Sequence, residues 1–247
     1  MQTEKQIINI KEAIILAGGL GTRLRRVVPD LPKCMASVAG KPFLSYVIDY
    51  FQEQGIERFI FSLGYRHEQI EHFIRSSYPG LDSRFSVEKE PLGTGGAVKL
   101  ACAGAETENL LVLNGDTLYQ VDLATVAAFH YSHRADCTLS LKPMQHFDRY
   151  GTVETDAASR VSAFKEKQPA QKGLINGGVY LLNKAAFQDQ GLPAEFSFEK
   201  HYLEAQIEEE KHKIFGIIQE QYFIDIGIPE DFDRAQNELP EFFTRGH

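Results

Sequence analysis

The chain has 247 residues, 43% hydrophobic and 24% charged, with a formal net charge of −8 and three cysteines. That size and balance suit a single α/β domain with a sizeable core. They exclude a membrane span, since no apolar run approaches the roughly 18–20 residues that one needs, and the acidic balance argues against a nucleic-acid partner. Cys34, Cys102 and Cys137 are odd in number and lack CxxC spacing. They therefore argue against a disulfide framework or a structural zinc site and fit the cytoplasm. The N-terminal MQTEKQIINIKEA has no apolar core of a signal peptide.

In chain order, apolar runs predict strands at 13–17, 59–64, 85–87, 110–114 and 137–141. Helical spacing predicts helices between them at 42–54, 68–76, 96–103 and 123–133. In the first helix, Phe43, Val47, Ile48, Tyr50 and Phe51 share a face, Pro42 suits the first helical position and Gly55 suits the stop. Short strands alternating with helices indicate an α/β, doubly wound and mostly parallel sheet of Rossmann-like type. Beyond Met144 the pattern changes: strands at 151–154, 161–165 and 178–182, a helix from 197 to about 209, then 214–218, 222–227 and an acidic helix from Pro229. The second half elaborates the sheet with antiparallel pieces. One domain spans 1–247, with a first half at about 11–143 and a substrate-binding half at about 144–247.

Charge is uneven. Residues 1–41 hold seven Lys/Arg against three Asp/Glu, whereas 186–247 hold five against fourteen. A basic start on an acidic protein suits a local anion pocket. The first strand runs into Gly18-Gly19-Leu20-Gly21-Thr22-Arg23, where bare backbone N–H groups can approach an anion. The loop is neither a Walker A motif, lacking Lys-Ser/Thr, nor a dinucleotide fingerprint, having Leu24 where a third glycine is required.

Asp116 directly follows the apolar run LLVLNG, at a strand end where an α/β sheet meets its ligands. A carboxylate there can hold Mg²⁺ or simply cap a turn. Asp225, also after an apolar stretch and near a glycine, is the second metal candidate, and the two can meet at one sheet edge. Arg23 and Lys33 are candidates for a polyphosphate, with solvated surface cations as the ordinary alternative. Arg25 and Arg26 are expected in solvent. The eight histidines form no HxH or HExxH pair, which argues against a zinc enzyme.

The glycine loop is followed by Leu31-Pro32-Lys33 and Gly40-Lys41-Pro42, then by EKEPLGTGGAV (88–98), VLNGDT (112–117), FDRYGTV (147–153), FKEKQP (164–169), LINGGVYLL (174–182) and FIDIGIPEDF (223–232). In this order the motifs resemble those of the sugar-1-phosphate nucleotidyltransferase family, and within it the guanylyl-type members that act on a manno-heptose 1-phosphate. The resemblance covers most of the chain, with one departure: Gln168 stands between the Glu-Lys pair and Pro169. It implies a Rossmann-like nucleotidyltransferase (GT-A-like) fold, Mg²⁺ as cofactor, and two substrates, an NTP (GTP favoured) and a sugar 1-phosphate. The implied products are an NDP-sugar and pyrophosphate.

By the same resemblance, Leu16, Ala17, Gly18, Gly19, Gly21, Thr22, Glu90, Pro91, Gly93, Thr94, Asn114 and Gly115 bind the nucleotide, with Gly95 and Gly96 letting backbone meet the base. Arg23, Lys33 and Asp116 act on the phosphates, and Asp116 and Asp225 hold the metal. Tyr150, Gly151, Glu166, Lys167, Asn176 and Gly177 bind the sugar phosphate, with Gly178 bringing further bare backbone to the ring. Lys165 competes with Lys167 on spacing, and Tyr150 serves equally well as core. Mannose 1-phosphate and phosphocholine remain alternative acceptors. A non-catalytic nucleotide-sugar sensor is the alternative outside enzymes, and it is disfavoured by the full set of cations and carboxylates. A homo-oligomer remains open.

Overall fold

The computed structural model describes residues 10–19, 31–165, 167–208 and 213–244. The order begins with β1 (Glu12–Leu16), a short 3₁₀ turn (Lys33–Met35), β2 (Ser37–Val38), β3 (Lys41–Pro42) and α1 (Phe43–Glu53). Next come β4 (Arg58–Leu63), α2 (His67–Ser77), β5 (Asp82–Val87), α3 (Gly93–Cys102), β6 (Asn109–Asn114), β7 (Thr117–Tyr119) and α4 (Leu123–His133). The second half adds β8 (Cys137–Phe147), β9 (Thr152–Thr155), β10 (Val161–Lys165), β11 (Ala170–Asn183) and α5 (Lys184–Gln188). A π-helix (Phe198–Glu204), α6 (Ala205–Glu208), β12 (Ile214–Ile218), β13 (Phe223–Asp225) and α7 (Pro229–Thr244) complete it.

Among the described residues the main sheet has nine strands. β6, β1, β4 and β5 lie side by side and parallel. β11 joins antiparallel to β6, β8 antiparallel to β11, and β12 parallel to β8. β9 and β10 extend the sheet from the first half of β11. The sheet is thus mixed and mostly parallel around β1. After β1 the chain builds outward through β4 and β5, then returns to β6 on the other side, so the strand order reverses at β1. In open α/β sheets, ligands bind beyond the carboxyl ends of the strands at such a reversal.

Helices cover both faces. Phe43 and Val47 of α1, Ile70 of α2, Val126 of α4 and Leu239 of α7 pack with Ile15, Phe59, Phe61 and Leu113 on one face. Val98 of α3, Phe187 of α5 and Phe198 and Tyr202 of the π-helix pack with Ile14, Ile60 and Val112 on the other. The central strands are apolar on both sides because both sides are covered. Each fully buried Phe or Leu contributes about 2 kcal/mol of transfer free energy.

Local signals account for most boundaries. Asp122 caps α4, accepting a hydrogen bond from the Thr125 amide at 3.1 Å, and Arg134 ends it in a left-handed conformation. Pro42 stands one residue earlier than expected, as the cap before α1, and the Phe43 amide donates to Ala36 O. α3 starts at Gly93 instead of Gly96, and the predicted 197–209 helix opens as the π-helix. β8 and β11 run well past their predicted ends and form a long antiparallel ribbon through Pro143 and Lys172.

Candidate active site

A cleft of about 770 Å³ opens over the carboxyl ends of β1, β4, β5 and β6. Leu16, Ala17, Gly18 and Gly19 leave β1 into it, and Asn114 and Asp116 enter from β6. Glu90, Pro91, Gly93 and Thr94 close it at the start of α3, and Lys33 reaches it from the 3₁₀ turn. Of the residues expected to hold a nucleotide, Gly115 does not line the cleft. Its amide instead donates to Leu16 O at 2.9 Å, and it is buried where β6 crosses β1. Gly21, Thr22, Arg23 and Glu166 lie outside the described residues, as do Arg25 and Arg26.

β13 pairs with β7 so that Asp225 stands opposite Thr117, the residue after Asp116. Two carboxylates more than a hundred residues apart therefore converge on one edge. The Lys33 ammonium sits between them, bonded to Asp116 and 3.6 Å from Asp225 Oδ1. Asp225 is fixed from behind by the Gly227 amide, which donates to Oδ1 at 2.7 Å. The point is built to receive positive charge. Among the described residues no group of three or more His, Cys, Asp or Glu gathers as a metal site. Two carboxylates are nonetheless an ordinary protein share for a hard divalent cation that takes its other oxygens from phosphate and water. Cys34, beside Lys33, is buried, and burial with the Asp116 charge pushes its thiol up to about 12, so it stays neutral.

Tyr150 is half-buried, its ring 6.1 Å from Phe223. Burial first, and then the nearby Asp225 charge, push its hydroxyl up to about 12. Arg149 beside it pairs with the buried Asp231 at 2.6 Å, which ties the start of α7 to the loop carrying Tyr150 and Gly151.

Asn176, Gly177 and Gly178 form a bulge where the β11–β8 register shifts. A bulge re-aims a side chain, and here Asn176 Nδ2 donates to Tyr180 Oη at 2.7 Å and to Glu199 Oε1 at 3.0 Å. The two glycines also answer to packing, a demand separate from the expectation that they bare backbone to a sugar. A Cβ on Gly177 would fall 2.3 Å from the Tyr119 ring, and one on Gly178 would fall 2.5 Å from Asn114 Nδ2. Glu199 as a residue is solvent-accessible, yet its carboxylate is crowded against Tyr180 and Asn176. That crowding raises its pKa, opposed mainly by the Lys167 charge. Lys165 is held by Glu154 at 2.5 Å on the neighbouring strand, which leaves Lys167 as the lysine facing Glu199.

Gly95 and Gly96 likewise answer to packing. They are buried under a different segment: a Cβ on Gly95 would lie 2.2 Å from the Phe196 ring, and one on Gly96 2.1 Å from Ala194 O. Sequence reasoning missed Glu88, which lines the cleft and accepts from the Leu92 amide at 2.8 Å. Glu90 is more exposed than Glu88. The signal for Glu88 was its place directly after a predicted strand. Glu199 had no such signal, being an acidic residue in a segment read as a helix.

A parallel sheet whose strand-end cleft joins a glycine turn, a lysine and two converging carboxylates defines a protein that handles a nucleotide's phosphates. The chain belongs to the nucleotidyl transferase family, whose model matches residues 12–241, and it is a nucleotidyltransferase. It is 52% identical over 231 residues to D-glycero-alpha-D-manno-heptose 1-phosphate guanylyltransferase of Aneurinibacillus thermoaerophilus, covering 94% of this chain and 99% of that one. It is 43% identical to the protein of the same name from Campylobacter jejuni, over 90% and 96% of the two chains. The crystal structure of HddC from Yersinia pseudotuberculosis, also solved as a complex with GMP-PN, superposes with a TM-score of 0.83 at 36% identity. That match covers 93% of this chain and all of HddC.

Proposed function

We propose that the protein transfers GMP from GTP to D-glycero-D-manno-heptose 1-phosphate, releasing pyrophosphate. The Aneurinibacillus relative, matched nearly end to end, carries the choice of substrates. A phosphate oxygen of the sugar attacks the α-phosphorus, a new P–O bond forms, and the bond to the bridging oxygen breaks toward pyrophosphate. A phosphate monoester has a second pKa of about 6 and is largely dianionic at pH 7, so no general base is required. The protein's task is to align two polyanions and offset their repulsion.

The glycine turn at Gly18 and Gly19 offers backbone to the triphosphate, with Gly21, Thr22 and Arg23 expected to continue it. Lys33, whose ammonium lies against Asp116 and Asp225, offers a positive charge to the α-phosphate. These two carboxylates fit Mg²⁺, which when bound supplies charge neutralisation at the phosphates. Guanine offers N1–H and N2–H₂ donors for a carboxylate to accept; Glu88, just after β5, and Glu90 both line the cleft, and the less exposed Glu88 takes that role. Asn176 and Glu199 receive the sugar hydroxyls, Lys167 grips the sugar phosphate, and Tyr150 and Gly151 wall the pocket. The halves 11–143 and 144–247 divide donor from acceptor, except that Asp225 and Gly227 of the second half reach back to the phosphates. Three buried thiols suit work in the cytoplasm, and no helix among the described residues is long and apolar enough to cross a membrane.

Phosphorus NMR of the protein with GTP, Mg²⁺ and the heptose 1-phosphate tests the proposal. Equimolar growth of pyrophosphate and a GDP-sugar is expected. Inorganic phosphate with GDP would refute transfer at the α-phosphorus.

A further inference from the structure

The segment after α5 returns across the first turn of α3 and locks onto it. The Gly95 amide donates to Phe196 O at 2.9 Å, and the Phe196 amide donates to Leu92 O at 2.9 Å. With glycine at 95 and 96 the two stretches approach closer than any side chain permits. One contact in this lock comes from a side chain: the Phe198 amide donates to Thr94 Oγ1 at 2.9 Å. Phe198 is 2% exposed and is the first residue of the π-helix. Its amide is one of the helix-start donors that the helix cannot satisfy itself. Ser197 serves the Lys200 amide, and Thr94 serves Phe198.

The next residue along is Glu199, whose carboxylate meets Asn176 at 3.0 Å. Thr94 itself lines the donor cleft. A single hydroxyl thus spans the two sites: it stands among the nucleotide residues, and its lone pair anchors the backbone from which the acceptor carboxylate projects. π-helical turns are uncommon and gather at functional sites. This one sets the Glu199 carboxylate against Asn176 and Tyr180.

We propose that Thr94 is a positioning residue for the acceptor: by holding the Phe198 amide it sets the start of the π-helix and thereby the place of Glu199. The inference rests on the reading that the sugar phosphate lies at Asn176, Glu199 and Lys167. A residue of the glycine-rich donor motif then governs affinity for the other substrate, and the two sites share a rigid joint.

Steady-state kinetics of Thr94→Val, which replaces the hydroxyl by a methyl of similar size, is the test. The KM for the sugar 1-phosphate is expected to rise about tenfold, as for loss of one hydrogen bond, and any rise in the KM for GTP, whose cleft Thr94 also lines, is expected to be several-fold smaller. Thr94→Ser, which keeps the hydroxyl, is expected to recover the acceptor KM. Calorimetric titration of the sugar 1-phosphate without nucleotide should show the same weakening, independently of turnover. A cycle with Glu199→Gln should be non-additive, because the valine acts through the carboxylate. Should Thr94→Val fail to fold, the serine variant and Thr94→Ala carry the same comparison. A rise in the GTP KM alone, an equal rise in both, no change, or additive effects in the cycle would each overturn the proposal. Wild-type turnover of the same pair is the control: its absence fails the functional reading, whereas its presence with an unmoved acceptor KM fails only this inference.

Discussion

Acidification is expected to destabilise the protein through His130. The imidazole is 2% exposed, with Nε2 3.1 Å from Asn109 Oδ1 and Nδ1 2.9 Å from Thr138 Oγ1. The amide oxygen can only accept, so Nε2 carries the proton and Nδ1 accepts from the hydroxyl, which is the neutral ring. Burial lowers the pKa from 6.5 to about 4, with Asp136 opposing. Between those values the unfolded chain binds more protons than the folded one, so stability rises with pH across the window. The contribution is intact above 6.5 and is lost as pH falls toward 4. Applying linkage between pH 7.5 and pH 5 gives a loss of about 2 kcal/mol from this residue. Urea denaturation at the two pH values, for wild type and His130→Gln, measures it. The wild type should lose about 2 kcal/mol more than the variant on acidification, whatever the variant's starting stability. Equal losses would refute the assignment of a buried neutral ring.

Asp116→Asn is expected to lower turnover at least about a hundredfold while the protein stays folded, since it removes charge and not volume; near-normal metal-dependent activity would remove Asp116 from the phosphate site. Lys167→Ala should raise the KM for the sugar phosphate with little change for GTP, and Lys165→Ala should not, because Lys165 is engaged with Glu154; the reverse result would exchange their roles. Gly177→Ala should cost about 2 kcal/mol in thermal or denaturant unfolding by overpacking Tyr119, whose ring would meet the new methyl at 2.3 Å. An unchanged midpoint would return Gly177 to the sugar.

The first half of the fold was legible where local chemistry and packing agree. α4 runs from Leu123 to His133 as its spacing and Asp122 cap indicate. β6 follows its apolar run because both faces of the strand are covered. The β8–β11 ribbon was harder to read. Beyond Leu141 and before Ile175 its side chains are largely half-exposed or exposed, so Pro143 and Lys172 look like loop residues. The polar edge strand β5 begins three residues earlier than its apolar core for the same reason.

Site residues were legible as types but not as partners. Asp116 and Asp225 stand at strand ends, yet only the β13–β7 pairing brings them to Lys33. The glycines carry a packing demand that the sequence does not show. Gly95, Gly96 and Gly177 read as openings for a ligand, and tertiary packing fills each with Phe196, Ala194 or Tyr119. Glu199 needed the bulge at Asn176 and the π-helix, neither of which leaves a mark in the sequence.

The most direct test of the central claim is the rate of pyrophosphate release with Mg²⁺, crossing GTP, ATP, UTP, CTP and dTTP against heptose, mannose and glucose 1-phosphates and phosphocholine. The account predicts release with GTP and the manno-heptose 1-phosphate at a kcat/KM well above every other pair. A higher kcat/KM for another base would contradict the placement of guanine at Glu88, and for another acceptor the assignment of the heptose phosphate to Asn176, Glu199 and Lys167. Silence across the panel from folded protein would contradict the assignment of catalysis to the cleft.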